Sequence, residues 1–179
     1  METLITTIGT QFSAQLRTTD PFGLPGYAPT AVLQSILQSG TGADNANQLF
    51  TVQVTLAAGA DYPLNLYTMN GATDQVKGAY AMVALKYLML QITGNGGVFT
   101  ESDFLTIGGD GSGTSWTAMF GAGSVKVFSG TINLPGNLEI GEGGAAGWPV
   151  LNGADCMLNI HNGGANPIQF NLIIVGATA

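Results

Sequence analysis

QLFTVQVTL, residues 48–56, decides the fold class. Phe50, Val52, Val54 and Leu56 alternate with Thr51, Gln53 and Thr55. That period of two is what a half-buried strand requires. Downstream, Leu64 and Leu66 begin a second short strand. VALKYLMLQI, 83–92, is apolar on both faces and rich in strand formers. It reads as a central strand, with a buried helix as the alternative. Residues 105–107, 124–128, 131–134 and 137–140 read as short strands divided by Gly or Pro. MLNIH, 157–161, and IQFNLIIV, 168–175, close the chain, joined by the turn cluster NGGANP, 162–167. Such short strands at roughly ten-residue spacing predict an all-β fold, an antiparallel β-sandwich that is jelly-roll-like by strand number. No fixed-period repeat is present, which argues against a propeller or solenoid.

Residues 1–45 have a different character. Leu4, Ile8, Phe12 and Leu16 are spaced by four and, with Ile5, mark one helical stripe. Thr3, Thr6, Thr7, Gly9 and Thr10 are mediocre helix formers, so a helix is expected there only when docked. DPFGLPGYAP, 20–29, carries three prolines and two glycines and reads as an extended connector. TAVLQSILQSG, 30–40, fits either a short helix or a strand. The expected organisation is an extended or partly helical N-terminal arm and connector, 1–45, followed by a β-sandwich domain, 46–179. An ordinary edge element is the alternative for the arm. Leu4, Ile8, Phe12, Leu16, Phe22 and Tyr27 are its candidate interface residues.

Composition points towards assembly. Lys and Arg total 4 and Asp and Glu 11, so 8% of the chain is charged, against roughly 25% in ordinary soluble domains. A surface so poor in charge solubilises a free monomer badly. It suits a protein that hides much of itself against neighbours. The net charge is −7, and Arg17, Lys77, Lys86 and Lys126 are scattered. That argues against direct nucleic-acid binding and against anionic membranes. The apolar stretch 79–92 is broken by Lys86 and is too short for a helical span. The start METLITTIGT has an acid at position 2 and no basic segment, unlike a secretory signal, so synthesis in the cytoplasm is expected. Cys156 is the only cysteine and lies in the apolar run CMLNI, where a buried, inert thiol is expected.

No catalytic set emerges. His161 is the only histidine, with no nucleophile elbow and no acid placed near it by spacing, and reads as a hydrogen-bonded structural residue at a strand end. Glu139 with Glu142, and Glu101 with Asp103, are carboxylate pairs, yet no aromatic cluster marks a saccharide cleft beside them. GGDGSG, 108–113, lacks the βαβ setting of a dinucleotide loop. Asp110, with Asp103 or Glu101, offers a thin calcium set, and a turn is the simpler reading. No catalytic, metal or cofactor residue is assigned.

The order of motifs carries a resemblance. GADNANQLFTVQVTLAAGADYPLNLYTM, 42–69, precedes ALKYLMLQITGNGG, 84–97, and DFLTIGGDGSG, 103–113. WTAMFG, 116–121, INLPGNLEIGEG, 132–143, GWPVLNGADCMLNIHNGG, 147–164, and FNLIIVG, 170–176, follow. Residues 42–176 thus resemble a group of small bacteriophage structural proteins, with Asn137 and Val175 departing from their pattern. The resemblance implies a virion component with a jelly-roll-like body, most similar to capsid decoration, or cement, proteins. It implies a non-enzymatic protein on the capsid surface that forms a homotrimer and bridges the major capsid protein. A tail, fibre or baseplate accessory protein is the alternative. In that tail or fibre reading the 94–103 and 108–121 loops, with Phe99, Trp116 and Phe120, would face a host glycan; a carbohydrate-binding β-sandwich module is a further alternative.

Overall fold

The computed structural model describes residues 6–13, 30–39, 45–69, 81–94, 103–108, 115–121, 123–128, 130–131, 134–141 and 146–178. Strands come first as β1 (Thr6–Ser13), β2 (Thr30–Ser39), β3 (Asn45–Ala46), β4 (Gln48–Leu56) and β5 (Asp61–Asn65). They continue as β6 (Met82–Gly94), β7 (Phe104–Gly108), β8 (Ser124–Phe128), β9 (Gly130–Thr131) and β10 (Leu134–Pro135). The last are β11 (Asn137–Gly141), β12 (Trp148–Pro149), β13 (Met157–Asn162) and β14 (Ile168–Thr178). The described residues hold no helix, and therefore none long and apolar enough to cross a membrane.

Two antiparallel sheets form the body. The first runs β11-β6-β14-β4, with β12 continuing along β6 beyond β11. The second runs β5-β13-β7-β8. The chain crosses between the sheets from β4 to β5, from β5 to β6 and from β6 to β7. It stays in the second sheet for β8 and crosses again to β11, to β13 and to β14. Each strand's apolar parity faces the other sheet. Phe50 and Leu56 of β4, Leu88, Leu90 and Ile92 of β6, and Ile168, Phe170, Leu172 and Ile174 of β14 share one core with Leu64, Leu105, Ile107, Val127, Leu158 and Ile160 of the second sheet. The result is a β-sandwich-like arrangement. Each such aliphatic side chain contributes about 1.5–3 kcal/mol on burial.

The reading of 83–92 as a central strand holds, because β6 has β14 on one side and β11 and β12 on the other. A strand buried on one face and half-covered on the other carries apolar residues at both parities, and this made a helix conceivable from sequence. Near its start β6 lies close against β14. A Cβ added at Gly176 would stand 2.6 Å from the Ala84 carbonyl oxygen and 2.5 Å from Met82 Cε. The register slips at this point, between Val175 and Gly176, and a residue without a side chain lets the two backbones meet there.

Several details correct the sequence reading. Residues 6–13 form a strand, not part of a helix: β1 pairs antiparallel with β2, Thr6 opposite Leu37 and Ser13 opposite Thr30. A spacing of four is also a multiple of two, so Ile8 and Phe12 keep one register parity in a strand as well as one stripe in a helix. The β-branched residues Thr6, Thr7, Ile8 and Thr10 favour the strand. Residues 30–39, ambiguous in sequence, are the strand that answers them. β2 then pairs parallel with β3, Gln38 opposite Asn45 and Ser39 opposite Ala46, so the boundary drawn at 45/46 falls inside β3. The strand expected at 131–134 is divided: β9 and β10 pair with each other, Leu134 opposite Thr131. Leu66 lies just past the end of β5, where it is fully buried.

Candidate functional site

The two sheets present outer faces of different chemistry. On the first sheet, register sets the outward residues of β4, β14, β6 and β11 into rows. One row is Leu49, Val175, Tyr87 and Gly141. The next is Thr51, Ile173, Met89 and Glu139. A third is Gln53, Asn171, Gln91 and Asn137. Glu139 is the one charged residue in these rows. Tyr87 and Val175 are buried together with Ala46, and Met89 packs beside them, whereas Leu49 keeps 41% of its surface exposed.

Neutral polar contacts organise the remainder of this face. Gln53 Nε2 donates to Asn171 Oδ1 at 3.1 Å. Gln169 Nε2 donates to Thr55 Oγ1 and Thr93 Oγ1 donates to Gln169 Oε1, each at 3.4 Å. The Tyr87 hydroxyl donates to Glu139 Oε1. Burial, and then that neighbouring carboxylate, push the Tyr87 phenol above its ordinary range. Tyr87 therefore remains a neutral donor at any physiological pH, and the face has apolar and amide character.

Among the described residues, the second sheet sets Asp61 and Lys126 in one cross-strand row. Asp61, His161, Thr106 and Lys126 are consecutive cross-strand neighbours on β5, β13, β7 and β8. His161 Nδ1 lies 3.0 Å from Asp61 Oδ1, and the same oxygen accepts Asn159 Nδ2 at 2.9 Å. The Asn159 hydrogen bond is the main cause that holds the Asp61 carboxyl below its ordinary value. Partial desolvation opposes it, and the hydrogen bond and charge of His161 add to it. Lys126 Nζ sits 4.4 Å from the centroid of the Phe104 ring, a cation–π contact. A carboxylate on Nδ1 orients an imidazole as a catalytic base needs. Among the described residues, however, no hydrogen bond joins His161 to a hydroxyl, and Cys156 is buried in the core. What the row can do is offer a polar, pH-responsive contact.

At one end of the sandwich, buried polar groups tie the sheets together. Asn162 Nδ2 lies 3.0 Å from both the Leu56 and Ala57 carbonyls and 2.9 Å from that of Asn166. Its Oδ1 accepts the Gly164 amide at 3.0 Å. Asp103 Oδ1 accepts the Ala165 amide at 3.1 Å, and Asn166 Nδ2 donates to Asp103 Oδ2 at 3.1 Å. The sequence marked NGGANP as a turn, but not that this turn is held by a carboxylate from the far side of the chain. Asp103, considered above as a calcium ligand, is engaged in that clamp. The described residues contain no cluster of three or more His, Cys, Asp or Glu suited to a metal, and Asp110, Glu101 and Glu142 lie outside them.

Of the interface residues expected from sequence, Ile8 and Phe12 fall on β1. Leu4, Leu16, Phe22 and Tyr27 lie outside the described residues. Trp116, considered as a glycan-stacking residue, has no accessible surface. Its Nε1 donates to the Pro149 carbonyl at 2.8 Å, and Phe120 packs edge-on against its ring. Phe99 lies outside the described residues. His161 is hydrogen-bonded as expected, to an acid that sequence spacing did not reveal. No family model, curated protein or solved structure matches this chain.

Proposed function

We propose that this chain is a non-enzymatic virion structural protein, a decoration or cement protein that assembles as a homotrimer on a bacteriophage head and bridges subunits of the major capsid protein. The observation that carries this reading is the outer face of the first sheet, where rows four strands wide contain Glu139 as their sole charge. Apolar packing and neutral amide hydrogen bonds join proteins without dependence on salt, whereas exposed ion pairs are screened. A shell component must hold under changing ionic conditions, and a face of this chemistry suits that task. Direct nucleic-acid and membrane contacts have no part in the proposal.

We also read the body as a jelly roll. The order β4-β14-β6-β11 against β5-β13-β7-β8, in which β7 to β8 is the one step among these eight strands that stays within a sheet, supports this topology. The fold hosts many functions and adds little alone. The alternatives that bind a glycan, the tail or fibre reading first, are weakened by the buried Trp116 ring, because sugar stacking needs an accessible aromatic face.

Immunogold electron microscopy on particles from a producing lysate tests the proposal. Regular label on heads is the expected result. Label on tails moves the protein to a fibre or baseplate role, and particles without label overturn the virion assignment.

A further inference from the structure

The sheet edges are not equally protected. Unpaired edge strands invite other chains, and proteins blunt them with charges, prolines or short length. β5 carries Asp61 and Pro63, β8 carries Lys126, β11 carries Glu139, and β12, which continues the β11 edge, carries Pro149. β4 is the exception. Its nine residues, QLFTVQVTL, contain no charge and no proline. It pairs with β14 along its whole length without a register slip. No described strand pairs with its other side.

The β1–β2 ribbon has matching chemistry. β1, TTIGTQFS, has eight residues, and neither it nor β2 contains a charge or proline. β1 is the outer strand of its sheet, in the order β1-β2-β3. The ribbon does not lie along the β4 of its own chain. β2 runs parallel to β3 with Ser39 level with Ala46, so β2 ends where β4 begins. Thr30 then lies roughly 30 Å upstream of Ser39 at about 3.3 Å per residue. A two-stranded ribbon is marginal in water without further partners.

We propose that β4 is a receiving edge, filled in the assembled protein by strand β1 of a second copy. The lengths agree, both strands are neutral, and backbone hydrogen bonding supplies the affinity, as in other strand additions. Repeated head-to-tail, with β1 of each copy on β4 of the next, such contacts close into rings when the rotation permits. This deepens the subunit reading above and rests on it only for the biological setting.

Two full-length variants test it. Gln53→Lys with Thr55→Lys places two charges on β4 at exposed positions, and Thr10→Lys places one on β1. Solution mass is measured by light scattering, with melting curves establishing that each variant is folded. Wild type is expected to be oligomeric and each variant alone to be monomeric at 18.3 kDa. An equimolar mixture is expected to form a dimer of twice that mass, since it restores one intact β1 facing one intact β4. A monomeric wild type, a folded β4 variant that remains oligomeric, or a mixture that stays monomeric overturns the proposal. If Thr10→Lys stays oligomeric while the β4 variant does not, β4 pairs with something other than β1, and the proposal again fails. These readings use purified protein, so they stand apart from whether label appears on particles.

Discussion

Asp61 and His161 are one hundred residues apart in the chain and meet with Oδ1 and Nδ1 at 3.0 Å on adjacent strands. Asn159, two positions before His161 on β13, donates to the same carboxylate oxygen. Asp61 is exposed, and His161 and Asn159 half-buried, on the outer face of the second sheet, so water competes for the Asp61–His161 contact. It is a device of modest energy placed where pH can reach it.

The carboxyl of Asp61 is held below its ordinary value of 3.8. A depressed carboxyl stabilises the fold above its unfolded pKa, and that contribution is lost as pH falls through the lower folded value. Asp61→Asn is therefore expected to lower stability at neutral pH by about 0–1 kcal/mol, the range of exposed pairs. The difference from wild type should vanish once the pH is well below 3.8. Melting curves across pH 2–7 measure it, and a difference that persists unchanged into acid removes the linkage.

Asn162 is fully buried and faces three carbonyls and one amide. Asn162→Ala leaves those groups without their partner and is expected to cost about 1–3 kcal/mol. Asn162→Asp is expected to cost more at neutral pH, because a carboxylate would face carbonyl oxygens, and to recover in part in acid. Urea denaturation of both variants checks the ranking; an aspartate variant as stable as wild type at pH 7 contradicts the clamp.

Gly176→Ala introduces a methyl against the Ala84 carbonyl and the end of Met82. The Met82 side chain can move aside, but the carbonyl belongs to a paired strand. Overpacking of this kind costs about 1–3 kcal/mol. A lowered melting temperature with unchanged β content is the expected result. An unchanged melting temperature means that the strands separate easily at the slip in register.

Cys156 retains 2% of its surface. A thiol reagent should label the native protein only at the rate at which this region opens, and completely in denaturant. Stoichiometric labelling of the native protein within seconds would contradict the packing around β13.

The strands were largely legible because sandwich burial writes itself into alternation. β4 carries Phe50, Val52, Val54 and Leu56, and β13 Leu158 and Ile160, at every second position, and Gly and Pro separate the short strands of the second half. Residues 6–13 were misleading for a specific reason: a spacing of four satisfies both periods, and only pairing with β2 distinguishes them. The polar relationships were illegible. Nothing local links Asp61 to His161 or Asp103 to Asn166, since each pair meets only after distant strands become neighbours.

By itself, then, the chain determined an all-β body and a surface starved of charge, because composition and alternation are properties of the order of residues. Tertiary structure decided that Asp61 meets His161, which described face stays almost neutral and which described edge lacks a guard. Strand order and register arise from the closing of one core between two sheets, and that closing brings together residues that the linear sequence keeps far apart.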